Sequence, residues 1–292
     1  MSITITDTMV AFAIIGLAPA LLFMWLFLHQ TRMNKDHRML MRRTFIFGTL
    51  AIVPVYIINY LLTYFFDFDI QNFLHTSTVS KSIGYVFLGC VLIAVIEEYA
   101  KGLIVREVDW KRKEFSRVVD GIEFSVACGL GFAFAENAIY FWDIYNMVGN
   151  IHTELMWAII FRSTLSMLAH AVFSGIFGYY YGRAKMLSLN YQRTRETHHH
   201  MKFHLLKALK IRVHRIKHIL KWENLHNELK EEIKEKELVA EGLLVAVILH
   251  TCYNFFLTIN LAWISVIIIA VEFLVIIHEF ELHKNNITVR KE

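Results

Sequence analysis

Apolar runs long enough to cross a lipid bilayer recur along the chain, and they constrain its fold more than any other feature. A hydrocarbon layer about 30 Å thick takes roughly 20 mainly apolar residues per helical crossing. Runs of that kind lie near residues 8–28, 44–66, 83–105, 121–142, 156–182, 239–260 and 261–281. Hydrophobic residues make up 56% of the 292 and charged residues only 19%, with a mean hydropathy of +0.43. That balance excludes an ordinary soluble domain. Backbone polar groups inside lipid must be satisfied within their own segment, which continuous helices achieve. The expected fold is therefore all-α: a polytopic transmembrane bundle of about seven spans in the cell membrane. Asp7 is the one charge ahead of the first run, and no small-residue cleavage site follows it, so that run reads as a retained span.

Orientation follows from the connections. Residues 29–43 carry Arg32, Lys35, Arg38, Arg42 and Arg43, whereas the stretch after the second run carries Asp67, Asp69 and the single Lys81. Residues 106–117 are again basic, 143–155 hold Asp143 and Glu154 without Lys or Arg, and 183–237 are strongly basic. Short loops rich in Lys and Arg stay cytoplasmic, which predicts the N-terminus outside and the C-terminus inside. The chain thus divides into spans one to five (1–182), a cytoplasmic loop (183–237), and spans six and seven with the tail (238–292).

That loop has Leu205, Leu206, Leu209, Ile211, Val213, Ile216, Ile219 and Leu220 at roughly helical spacing among Lys and Arg, the pattern of an amphipathic basic helix. Its expected partner is anionic lipid at the membrane surface. Nucleic acid is not expected, since no aromatic stacking platform accompanies the charge. Seven histidines between 198 and 226 read as solvated surface groups rather than a metal site. Cys90, Cys128 and Cys252 all fall inside predicted spans, so no disulfide framework is implied.

Ionisable groups in mid-span are costly, about 2.5 to 3.5 kcal/mol each on insertion scales, and generally mark function. The third run holds Glu97, Glu98 and Lys101, the fourth Glu136 and Asn137, the fifth His170, and the sixth His250 and Asn254. Helical rise sets them at overlapping depths. Glu97 and Lys101 are four apart and share a face, as do His250 and Asn254, while Glu98 is rotated by about 100° from Glu97. Taken singly, each has a bland reading: a Glu97–Lys101 pair that eases insertion, interior histidines held by hydrogen bonds, asparagines joining helices. Together, three glutamates and two histidines on adjacent helices are an inventory for activating water. Glu272, in the seventh run, has no assignable role.

The segments "EEYAK", "GFAFAEN", "HAVFSGIFGYYYG" and "HTCYN" resemble, in order and spacing, the signature blocks of the PrsW-type intramembrane proteases. That family shares a superfamily with the CAAX prenyl endopeptidases. The resemblance implies that Glu97 and Glu98 are the paired glutamates, one of which polarises the attacking water. It implies that Glu136 stands where the CAAX enzymes have a histidine, that His170 belongs to the third block, and that His250 and Asn254 form the last, where they stabilise the oxyanion. Lys101 in EExxK replaces the arginine of EExxxR, which argues against prenylated substrates.

The expected activity is that of an intramembrane endopeptidase acting on a membrane-anchored protein, an anti-sigma factor being the kind of substrate the resemblance implies. Glu136, His170 and His250 are a candidate ligand set for an open zinc site, although a glutamate-activated water needs no metal. Lys101 and Asn137 are supporting residues. The small ladder Ser174, Gly178 and Gly182 allows close packing of the fifth span. The competing readings are a proton-coupled transporter, disfavoured by the lack of an internal repeat, and a non-catalytic membrane protein that keeps the fold.

Overall fold

A computed structural model describes residues 5–28, 35–70, 72–74, 82–148, 153–209 and 214–284. The described residues are helical apart from short turns, with no strand among them. In chain order the helices are α1 (Ile5–Leu28), α2 (Lys35–Leu50), α3 (Ile52–Phe66), α4 (Ile83–Asp109), α5 (Val118–Val148), α6 (Thr153–Phe161), α7 (Met167–Leu209), α8 (His214–Thr258) and α9 (Ala262–His283). A π-helical turn, Arg162–Ser166, joins α6 to α7.

Seven helical stretches are long and apolar enough to cross a membrane, and each contains or overlaps one of the expected runs. The second is Lys35–Phe66, broken between α2 and α3 at Ala51. Pro54 explains the break: lacking an N–H, it leaves the Leu50 carbonyl without its helical donor. At the break the Ala51 N–H is shared between the Phe47 and Gly48 carbonyls, both at 3.1 Å.

α5 is the central helix. In its most apolar window 83% of the residues are buried, against 17 to 44% in the other six stretches. Lipid tails are as apolar as leucine, so helices in a membrane associate through close packing and polar contacts rather than through exclusion from water. The small residues of α5 and α7 supply that packing. A Cβ on Gly121 would lie 2.5 Å from the Gly178 carbonyl oxygen and 2.8 Å from the Gly182 Cα, and one on Gly129 would lie 2.6 Å from the His170 carbonyl oxygen. The expected ladder of Ser174, Gly178 and Gly182 therefore seats on Gly129, Gly121 and Val118, and the backbone of α7 beneath His170 is drawn against α5.

The outward faces are apolar in turn, with Ile14, Trp25, Tyr60, Tyr99, Leu244, Trp263 and Leu274 exposed, as suits side chains that meet lipid. α7 and α8 run on from the fifth and sixth spans into the basic segment. The expected amphipathic helix at 205–220 covers the end of α7, the start of α8 and residues 210–213, the last of which lie outside the described residues.

Candidate active site

Four helices and the π turn carry the polar residues to one place inside the bundle. Glu97, Glu98 and Lys101 come from α4, Glu136 and Asn137 from α5, Arg162 from the π turn, His170 from α7 and His250 from α8. Glu97, Glu98, Lys101, Asn137, His170 and His250 are all buried.

Their contacts form a continuous chain. Lys101 Nζ donates to Glu98 Oε1 at 2.5 Å and to His170 Nδ1 at 3.1 Å, and it lies 4.8 Å from the centre of the Phe132 ring. An ammonium only donates, so Nδ1 of His170 is an acceptor and its proton sits on Nε2. That Nε2–H donates to Glu136 Oε2 at 3.0 Å. The other oxygen of Glu136 pairs with Arg162 Nη2 at 2.6 Å. Asn137 completes the clamp: its Oδ1 accepts from Arg162 Nε at 2.9 Å, and its Nδ2 donates to the Arg162 carbonyl at 3.1 Å.

His250 is the second branch. Its Nδ1 lies 2.7 Å from Glu98 Oε1, and its ring stacks on Phe173 with centroids 5.2 Å apart and planes inclined by 25°. A carboxylate beside Lys101 accepts, so Nδ1 carries the proton and the Nε2 edge faces Glu97 Oε2 at 3.8 Å. Glu97 Oε2 is buried and has no hydrogen-bond partner among the described residues. Carboxylate oxygens of Asp109, Glu123 and Glu272 are in the same state; what distinguishes Glu97 Oε2 is that it faces a histidine edge within the polar cluster.

A cavity of about 400 Å³ adjoins the cluster. Glu136, Arg162, His170, His250 and Asn254 line its polar side, and Tyr140, Trp157, Phe161 and Leu257 are among the residues of its apolar side. The Glu136 and Arg162 side chains are 24% and 18% exposed, whereas those of Glu98 and Lys101 are only 2% and 3% exposed.

The structure thus brings together every expected site residue, with Asn254 on the cavity wall. It differs from the sequence reading in three respects. Lys101 pairs with Glu98, three residues back, rather than with Glu97. Within this cluster the groups that could hold a metal are Glu97, His170 and His250, with ligand atoms within 4.8 Å of one another, and His37, Asp120 and Glu123 form a second such group outside it; Glu136, expected as the carboxylate ligand, has its oxygens engaged by Arg162 and His170. The donor set suits a divalent cation in two of its members, Glu97 Oε2 without a hydrogen-bond partner and His250 oriented from behind by Glu98 as carboxylates orient metal-bound histidines; His170 would exchange its Nδ1 contact with Lys101 for the ion. Arg162 was not anticipated. Its one signal was a lone arginine in an apolar stretch, eight residues before His170.

A second buried cluster joins α2 to the start of α5. His37 Nε2 lies 2.7 Å from Glu123 Oε2, and the Arg117 guanidinium pairs with Asp120 at 2.6 Å. The Asp120 carboxylate also accepts from the Ser116 and Arg117 backbone N–H groups at 2.8 and 2.7 Å, a capping contact at the α5 N-terminus. Glu272 on α9 is buried and neither carboxylate oxygen has a hydrogen-bond partner among the described residues; nothing in the structure explains it.

A polar cluster enclosed within a bundle of apolar helices, beside a cavity between them, defines a multi-pass membrane protein with ionisable groups inside its apolar layer. Residues 36–210 match the profile of the family described as PrsW family intramembrane metalloprotease. "Protease PrsW" of Geobacillus kaustophilus is 28% identical over 170 residues, 58% of this chain and 65% of that protein. "Protease PrsW" of Shouchella clausii is 32% identical over 178 residues, 61% and 71% of the two chains. That of Halalkalibacterium halodurans is 29% identical over 171 residues, 59% and 68%. The matched stretch thus spans about two thirds of these curated relatives. No solved structure matches the chain. The chain belongs to the PrsW family of intramembrane metalloproteases. The profile match covers Glu97 to His170 and stops before His250 and Asn254.

Proposed function

We propose that the protein is an endopeptidase that hydrolyses a peptide bond of a membrane-anchored protein within the bilayer. The observation that carries this reading is Glu97 Oε2: buried, without a hydrogen-bond partner, and facing the bare Nε2 edge of a histidine that Glu98 holds in place.

In this reading Glu97 takes the proton of the attacking water, as general bases do when a nucleophile must be generated at a carbonyl. Glu98 fixes the tautomer and angle of His250, and Lys101 anchors Glu98. Glu97 then returns that proton to the leaving amine, while His170, held between Lys101 and Glu136, fixes the Glu136 carboxylate at the cavity. Asn254, on the cavity wall, offers an amide donor to the carbonyl oxygen. In a metal-bound form Glu97, His170 and His250 would be the residues that hold a zinc ion, which would polarise the water as a Lewis acid in place of Glu97 acting as the base. The cavity accounts for access: a substrate helix must open locally before its backbone can react, and a polar pocket inside the membrane accepts the freed N–H and C=O groups. The substrate is a membrane-anchored protein such as an anti-sigma factor, and the basic 183–237 segment engages anionic lipid.

The test is cleavage of a pool of synthetic single-span peptides in liposomes holding the purified full-length protein, with products read by mass spectrometry. Glu97→Gln is expected to lower turnover about a hundredfold or more, the usual cost of losing a general base. Since Glu97 Oε2 has no hydrogen-bond partner to lose, the melting temperature should stay unchanged. Cleavage at the wild-type rate by a folded Glu97→Gln protein would remove the basis of the proposal.

A further inference from the structure

The peptidase mechanism leaves Arg162 without a part in the reaction, yet the fold goes to some length to aim it. Arg162 and His170 are eight residues apart, which in an unbroken α-helix would set them about 80° apart around the axis. The π turn at Arg162–Ser166 takes up one extra residue, so the separation acts as seven, two full turns to within about 20°. Both residues then reach the same carboxylate, Arg162 on one oxygen of Glu136 and His170 on the other. The guanidinium is clamped by Glu136 at Nη2 and by Asn137 at Nε, and it lies 4.2 Å from the Tyr140 ring centre. The one hydrogen bond the guanidinium donates among the described residues is from Nε to Asn137; Nη2 meets Glu136 as an ion pair without hydrogen-bond geometry. The side chain borders the cavity, so its unengaged donors face the space that a substrate backbone would occupy. A guanidinium held rigidly by a carboxylate, an amide and an aromatic face is preorganised, and preorganised donors are the ones that stabilise developing charge.

We infer that Arg162 is a catalytic residue of this site, its guanidinium binding the carbonyl oxygen of the scissile peptide and holding the negative charge that forms there when water adds to the carbonyl carbon. The π electrons of the C=O bond move to oxygen as the new C–O bond forms. They return when the tetrahedral species collapses and the amine leaves with a proton from the site. Arg162 stays protonated throughout. The inference rests on the peptidase reading, and it adds a charged donor to the neutral amide of Asn254.

The experiment uses the same liposomes and peptide pool, with wild type, Glu97→Gln, Arg162→Lys and Arg162→Met compared on a peptide that the wild type cleaves. Arg162→Met should lower kcat by a factor of about 100 to 1,000, the loss typical for one oxyanion donor, with KM changed by less than about threefold. Arg162→Lys keeps the charge opposite Glu136 but loses the fork, so it should fold with a wild-type melting temperature and recover part of kcat. If Arg162→Met does not fold, Arg162→Lys decides alone, with at least a tenfold drop in kcat expected. A folded Arg162→Lys or Arg162→Met protein with wild-type kcat overturns the inference and leaves the peptidase reading standing. A rise in KM at constant kcat overturns it too, reducing Arg162 to a binding contact. A wild type that cleaves no peptide in the pool, at the same rate as Glu97→Gln, overturns the peptidase reading and this inference with it.

Discussion

Removing one charge from the Glu98–Lys101 pair should destabilise the protein more than removing both. The two groups are 2.5 Å apart with side chains 2% and 3% exposed, so neither can turn to water. Breaking a buried pair on one side costs about 3 to 5 kcal/mol because the remaining charge stays buried without its partner. Glu98→Gln leaves Lys101 the His170 Nδ1 lone pair and the Phe132 face, and a desolvated cation–π contact returns about 2 kcal/mol at most. Lys101→Met leaves Glu98 its contact with His250. Each single change should lower the melting temperature in detergent by roughly 5 to 15 °C, taking about 2 to 4 °C per kcal/mol for a chain of this size. The double change Glu98→Gln with Lys101→Met removes both charges and should recover most of that loss, a favourable coupling in the double-mutant cycle. Activity should not recover with it, because the carboxylate that orients His250 is gone, a loss worth about 10- to 100-fold where a histidine serves as a ligand. Differential scanning fluorimetry beside the peptide assay measures both. Single variants as stable as the wild type, or a double variant less stable than either, would refute the reasoning.

Three further outcomes are expected. Chelation of active protein by 1,10-phenanthroline should abolish cleavage, and zinc should restore it, if Glu97, His170 and His250 hold a metal; elemental analysis should then find about one zinc per chain. Reporters fused after Tyr191 and at the C-terminus should be cytoplasmic and one inserted at Gly149 external, since the Lys and Arg distribution sets orientation. Gly121→Val should collapse folded yield, because a Cβ there meets the Gly178 carbonyl at 2.5 Å and overpacking costs about 1 to 3 kcal/mol or more; Gly84→Ala, where nothing lies within 4 Å, should be tolerated.

The spans were legible because the bilayer imposes a length and a composition, and both survive in sequence. The members of the cluster were legible for the same reason: Glu97, Glu98, Lys101, Glu136, His170 and His250 each stand out against an apolar background. Pairing was not. On a helix a residue at i+3 and one at i+4 are both neighbours, so Lys101 had equal claim on Glu98 and Glu97, and α8, which brings His250 onto Glu98, settles the choice. Arg162 escaped because it lies near the expected start of its span, where an arginine normally reaches for the interface. The π turn that carries it inward instead leaves no mark in hydrophobic periodicity. The His37–Glu123 contact escaped because its partners are 86 residues apart and each sits among other charges at a membrane edge.

Once pairing is known, the electrostatics of the site are set by its inventory. The cluster holds three carboxylates and two permanent cations. Lys101 takes Glu98 at 2.5 Å and Arg162 takes Glu136 at 2.6 Å. Glu97 is left with neither, its Oε2 3.8 Å from the nearest histidine nitrogen in contact. Neutralised carboxylates are poor bases, since the cation that stabilises their charge must be opposed when a proton arrives. The two cations therefore do more than permit insertion. With Glu98 against Lys101 and His250, and Glu136 against Arg162 and His170, Glu97 is the carboxylate of the cluster that the proposed mechanism has available to take a proton or a ligand.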